Sequence, residues 1–81
     1  MTPLKSIALS QLSVDRLATI LSFSSGRLET MRLASLGFTP GARIAMAQNY
    51  GRGPLIVTVR GTRIALGRGE ADQILVQPEQ E

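Results

Sequence analysis

The chain has 81 residues, with nine basic and six acidic side chains for a net charge of +3, and no cysteine, histidine or tryptophan. Its length bounds it to one small domain spanning 1–81, and its composition, 43% hydrophobic and 19% charged, is that of a globular chain rather than a disordered one. The missing cysteine excludes a disulfide framework and a thiolate metal site, and the missing histidine removes the commonest general base and the commonest zinc ligand.

No apolar run exceeds four residues, Ile44 to Ala47 being the longest, so neither a membrane span nor a signal-peptide core is expected. The expected location is therefore the cytoplasm, with no direct membrane insertion. Eight of the nine cations are arginine, and they are scattered from Arg16 to Arg68 rather than clustered, as on a solvated surface with few acids.

The ends read as loose, Met1 to Pro3 and Gln77 to Glu81, around an ordered core of about 4–77. Leu4 to Leu12 is ambiguous: Leu4, Leu9 and Leu12 fit the apolar side of a short helical turn, with Ser10 and Ser13 as local caps. Leu17 to Phe23 alternates as a strand, with Leu17, Thr19, Leu21 and Phe23 on one face. Ser24-Ser25-Gly26 breaks it. Arg27 to Leu36 is the clear helix, with Ser24 or Ser25 as its cap and Glu29 near the positive end of the dipole. Leu28, Met31 and Ala34 or Ser35 follow helical spacing, and Leu33 and Leu36 widen the apolar stripe. Gly37 falls where a left-handed C-cap is needed, Phe38 can fold back on the last turn, and Pro40 prevents continuation.

Short strands follow. Arg43 to Tyr50 puts Ile44, Met46 and Tyr50 on one side. Gly51-Arg52-Gly53-Pro54 is a turn cluster. Leu55 to Arg60 sets Leu55, Val57 and Val59 against Ile56, Thr58 and Arg60, and Gly61-Thr62 reads as a type II′ hairpin turn into Arg63 to Leu66. Gly67 to Asp72 is a turn with one helical turn over Glu70 to Asp72, and Gln73 to Gln77 is the last strand, closed by Pro78. About five short strands and one helix are too few for two stacked sheets; a sheet curled on itself hides its edges and its apolar face together. The expected fold is mainly β, a small SH3-like β-barrel with one helix packed on a rim.

The ordered segments carry a family resemblance. Arg32-Leu33-Ala34-Ser35-Leu36-Gly37-Phe38-Thr39-Pro40-Gly41 resembles the RL-x-x-LGF-x-PG signature of FeoA-domain proteins. Gly53-Pro54-Leu55-Ile56-Val57-Thr58-Val59-Arg60-Gly61 is similar to that family's P-(L/I)-x-V-x-V-x-G hairpin, and Ile64-Ala65-Leu66 with Glu70-Ala71 and Ile74-Leu75-Val76 to its ending. The chain departs from the pattern in three places. Ser13-Val14-Asp15-Arg16 stands where the family has a glycine before the first strand, Gly53 where Asp is frequent, and Gly67 where Arg is common. The resemblance implies a cytoplasmic accessory protein of bacterial ferrous-iron uptake, acting on the FeoB permease with its G-domain. It also implies an alternative: the same fold occurs as the C-terminal domain of iron- and manganese-dependent repressors.

Chemistry of its own is not expected. The serines have no histidine to activate them, so no catalytic residue is assigned. Gly51-x-Gly53 and Gly67-x-Gly69 lack the third glycine and the context of a dinucleotide site, and no glycine-rich loop runs into Lys-Ser or Lys-Thr. For iron the carboxylates are Asp15, Glu29, Glu70, Asp72, Glu79 and Glu81, without the imidazole that ferrous sites favour. No tight site and no cofactor are expected, and metal ligands stay unassigned. Phe23, Phe38 and Tyr50 are too few for a stacking platform, so nucleic acid is not the expected partner.

The chain therefore reads as a protein-interaction module. The loop Gln48 to Gly53 offers Asn49, Tyr50 and Arg52, and the helix offers Arg27 and Arg32; tyrosine and arginine are the types that most often anchor interfaces. Homo-oligomerisation through an open barrel edge stays open.

Overall fold

In the computed structural model of the chain, residues 5–79 are described; what is expected of Met1 to Leu4 and of Gln80 and Glu81 lies outside them. Six strands form one antiparallel sheet: β1 (Ile7–Ala8), β2 (Leu17–Phe23), β3 (Arg43–Gln48), β4 (Leu55–Val59), β5 (Thr62–Leu66) and β6 (Ile74–Pro78). Their order across the sheet is β1-β6-β2-β3-β4-β5. Helix α1 (Arg27–Ser35) lies between β2 and β3, and α2 (Arg68–Asp72) between β5 and β6.

The expected β-barrel architecture is present with one strand more than the sequence suggested, and the helical turn expected over Glu70 to Asp72 is the short helix α2, begun two residues earlier. The two residues of β1 are too few to show alternation, yet Ile7 pairs with Val76 and Ala8 with Leu75. A 3₁₀ turn over Leu9–Gln11 follows, the form taken by the short helical turn that the segment allowed.

The core collects Ala18 and Ile20 from β2, Ile44 and Met46 from β3, Leu55, Val57 and Val59 from β4, Leu66 from β5, and Ile74 and Val76 from β6. Leu9 and Leu12 come from the 3₁₀ turn and its exit, Ala71 from α2, and Leu33 and Phe38 from the end of α1. Helices and turn thus supply the bulk that a curled sheet of short strands cannot supply alone.

Two β-bulges overturn the expected strand faces. Opposite β6, Ile20 pairs with Val76 and Ser22 with Leu75, so Leu21 is an extra residue. It resets the alternation: Ile20 points inward before it and Phe23 packs on the core after it, while Leu17 and Leu21 are exposed. In β3 the pairs Met46–Val57 and Gln48–Ile56 leave Ala47 extra. The strand then ends at Gln48, so Tyr50 belongs to the following loop, as the loop reading of Gln48 to Gly53 has it, and not to the face of Ile44 and Met46.

The stop of α1 is as the sequence implies. Gly37 has φ 100°, its N–H donates to Ala34 O at 3.0 Å, and Phe38 N–H donates to Leu33 O at 3.0 Å. This is a Schellman motif, and its hydrophobic pair, Leu33 and Phe38, is buried. The start differs. Gly26 is the N-cap without a side-chain cap, and Ser24 instead ties β2 to β6, its Oγ donating to Gln73 Oε1 at 2.7 Å. Leu33 is also the one buried residue of α1; Leu28 and Met31 are 82% and 59% exposed and Leu36 is 39% exposed, so the expected apolar stripe mostly faces solvent.

The β4–β5 hairpin turns one residue earlier than expected. Val59 pairs with Thr62, leaving Arg60 and Gly61 as the turn with φ of 52° and 78°. Both positive values define type I′ rather than II′. Asp15, with φ 70°, adopts the left-handed conformation in the loop where the resembling sequences carry glycine, so that departure keeps the turn. The expected tail after Gln77 is tied down as well. Pro78 pairs with Ala18, Glu79 N–H donates to Leu17 O at 2.9 Å, and Arg43 Nε donates to the Glu79 carboxylate at 2.6 Å. That hydrogen bond, and then the charge of Glu79, raise the Arg43 pKa above its ordinary value.

Candidate functional site

The loop after β3 is shaped by a polar knot. Asn49 Nδ2 donates to Ser10 O and to Leu12 O, both at 3.0 Å, which holds the 3₁₀ turn against the end of β3. Asn49 Oδ1 accepts from Gly51 N–H at 3.0 Å and from Arg68 Nη2 at 2.7 Å. The Arg68 guanidinium also donates to Gly53 O and to Ser10 O, each at 3.2 Å. Ser10 Oγ in turn donates to Asp72. Asn49 and Arg68 therefore spend their polar groups inside the fold, joining turn, loop and α2.

That scaffold leaves the tip of the loop outside. Tyr50 is 77% exposed and Arg52 is exposed. Gly51 and Gly53, with φ of 82° and 71°, allow the sharp path around them.

On α1, Arg27 is exposed. Arg32 is committed: its Nη2 lies 2.9 Å from Glu29 Oε1, and it also pairs with Glu70 of α2. Glu70 Oε1 meanwhile accepts the N–H of Gly67 at 3.1 Å, fixing the start of α2.

The five residues singled out in the sequence are thereby connected through α2. Arg68 grips the loop of Asn49, Tyr50 and Arg52, and Glu70, two residues on, grips the helix of Arg27 and Arg32. Sequence reasoning missed this connection, because Arg68 looked like one more scattered cation and Glu70 like a solvated acid. It also missed Leu28 and Met31, whose helical spacing had assigned them to the core. Leu28, Met31 and Tyr50 are large apolar groups left exposed, and Arg27 and Arg52 are exposed cations.

Among the described residues no group of three or more His, Cys, Asp or Glu side chains comes together as a metal site. Among the same residues no helix is long and apolar enough to cross a membrane.

An antiparallel sheet of six short strands, with helices filling its interior and exposed apolar and arginine groups outside, defines a small SH3-like barrel protein. The FeoA domain model matches residues 7–78, and the chain belongs to the FeoA domain family. In a crystal structure of an iron uptake regulatory protein, FeoA, the alignment covers 93% of this chain and 100% of that one, with TM-score 0.87 and 29% identity. With Stenotrophomonas maltophilia FeoA complexed with zinc, described as an SH3 domain protein, the TM-score is 0.74 and the identity 32%, over 85% of this chain and 87% of that one. A Methanocaldococcus jannaschii protein named for Fe(2+) transport is 39% identical over 46 residues, 57% of this chain and 55% of the relative, so the match spans about half of that protein's length. A manganese-dependent transcriptional repressor shares the fold at 17% identity (TM-score 0.84, 98% of this chain and 45% of that one), which shows the fold alone. The chain is thus a FeoA-family protein, similar to proteins named for iron uptake and Fe(2+) transport.

Proposed function

We propose that the chain is a non-enzymatic accessory protein of bacterial ferrous-iron uptake that docks on the cytoplasmic part of a FeoB-type permease. The observation that carries this reading is the exposure of Tyr50 and Arg52 on the loop and of Leu28, Met31 and Arg27 on α1, in a member of the FeoA domain family. Large apolar side chains left outside a small core have a cost in water that docking removes. The arginines supply charge-assisted bonds to acidic or carbonyl groups of the partner. Asn49 and Arg32 set the loop and the helix in place, and Tyr50, Arg52 and Arg27 make the contact.

Iron enters this reading as the permease's cargo. The chain contributes no activated nucleophile and no poised base, since its hydroxyls have no histidine to take their proton. The alternative, a metal-responsive regulatory domain like that of the repressors, is supported by the shared fold only.

The test is Tyr50→Ala combined with Arg52→Ala. Both side chains are exposed. The double variant should fold as the parent does and bind the isolated permease cytoplasmic region more weakly; unchanged affinity in calorimetry would refute the placement.

A further inference from the structure

We propose that the open edge of β5 accepts an extended segment of a partner protein whose side chains alternate between apolar and acidic. β5 is the terminal strand of the sheet and pairs with β4 alone. Val59 pairs with Thr62, Val57 with Ile64 and Leu55 with Leu66. In a two-residue hairpin the pair flanking the turn is hydrogen-bonded, and such pairs recur at every second residue. The backbone groups of Thr62, Ile64 and Leu66 are therefore used by β4, and those of Arg63 and Ala65 point away from the sheet. Among the described residues no other backbone hydrogen bond reaches Arg63 or Ala65, and both are exposed. The opposite edge, β1, has only two residues and cannot template a strand of useful length.

Two faces of the edge define what it selects. On the inner side a groove of about 430 Å³ separates the end of α1 from the hairpin, lined by Leu36, Gly37, Val59, Arg60, Thr62 and Ile64. Every second side chain of an added strand points into it, which favours apolar groups there. The intervening side chains lie on the outer face, opposite Arg63 and Ala65, where cross-strand pairing rewards opposite charge. Arg60 and Arg63 have no ion pair among the described residues, so this charge is available to a partner. A second copy of the chain fits poorly: β5 carries Arg63 and no acid, Arg60 adjoins it in the turn, and the whole chain is +3. Edge-to-edge pairing of two copies brings like charges together.

The inference depends on the docking role proposed above only for the source of the segment; the edge is tested by itself. The isotopically labelled protein is titrated with a short synthetic peptide alternating glutamate and valine, and with its lysine–valine counterpart. The glutamate peptide should bind saturably, moving the amide resonances of Arg63 and Ala65 and slowing their hydrogen exchange, and the lysine peptide should not. Ala65→Pro removes an amide that the fold does not use, and should weaken binding by about tenfold or more with the circular dichroism unchanged. Arg63→Glu should reverse the preference between the peptides, and decides the matter should Ala65→Pro not fold. Absence of shifts in β5, equal affinity for both peptides, indifference to a folded Ala65→Pro, or self-association through β5 in sedimentation would overturn the proposal. Retained binding to the permease region alongside any of these would overturn the edge alone and leave the transport reading standing.

Discussion

Asn49→Ala tests whether the loop is held from within. The amide makes four hydrogen bonds, to Ser10 O, Leu12 O, Gly51 N–H and the Arg68 guanidinium. A neutral bond contributes about 0.5–1.5 kcal/mol net, and a bond to a charged group about 1.5–3 kcal/mol. Asn49 is only half-buried, so water reoccupies part of the gap, and Ser10 O keeps its bond from Arg68 at 3.2 Å. The expected loss therefore falls at or just below the low end of the combined range of about 3–7.5 kcal/mol, at about 2–3 kcal/mol, out of the roughly 5–15 kcal/mol that small domains possess. Urea denaturation followed by circular dichroism measures it. A double-mutant cycle with Arg68→Ala should give a coupling of about 0.5–3 kcal/mol, because the two side chains share one bond and one carbonyl. A loss below about 1 kcal/mol, or strict additivity with Arg68→Ala, would refute the knot as the device that sets the loop.

Further outcomes follow from burial and backbone geometry. Leu33→Ala removes the fully buried anchor of α1 and should cost about 2–5 kcal/mol, whereas Leu28→Ala, at an 82% exposed position, should change stability by less than about 0.5 kcal/mol in the same urea assay. Arg60→Asn places Asn-Gly in the type I′ turn and should raise stability by a few tenths to about 1 kcal/mol in thermal denaturation. Anaerobic calorimetric titration with Fe(II) should show no micromolar isotherm, as expected of scattered carboxylates without imidazole.

Local rules with a strong steric basis were legible in the sequence. The stop of α1 at Gly37-Phe38 was readable because only a residue tolerant of positive φ closes a Schellman motif, and Leu33 and Phe38 then had to meet. β4 was readable because its strict alternation is uninterrupted. Where the backbone inserts a residue, period-2 reasoning fails: the bulges at Leu21 and Ala47 have no glycine to announce them, and after the first of them Phe23 packs on the core with Ile20 instead of sharing the face of Leu17. The helical spacing of Leu28 and Met31 is real, but α1 lies over the barrel by its last turn alone, and tertiary contact rather than periodicity decides what is buried.

The candidate surface was legible as a choice of side chains and not as a geometry. Tyr50 and Arg52 stood out by type and by their place in a glycine-rich loop. The roles of Asn49, Arg68 and Glu70 depend on contacts between residues up to 39 and 58 positions apart, Asn49 with Ser10 and Arg68 with Ser10, which no local pattern encodes. The same distance hid the link through α2 between the loop and α1.

The central claim, that this barrel works by docking, is tested most directly by calorimetric titration of the chain into the isolated cytoplasmic region of the FeoB-type permease, with and without GTP. The account predicts saturable binding that Tyr50→Ala with Arg52→Ala weakens. A flat titration in both nucleotide states, with each protein folded, would contradict it.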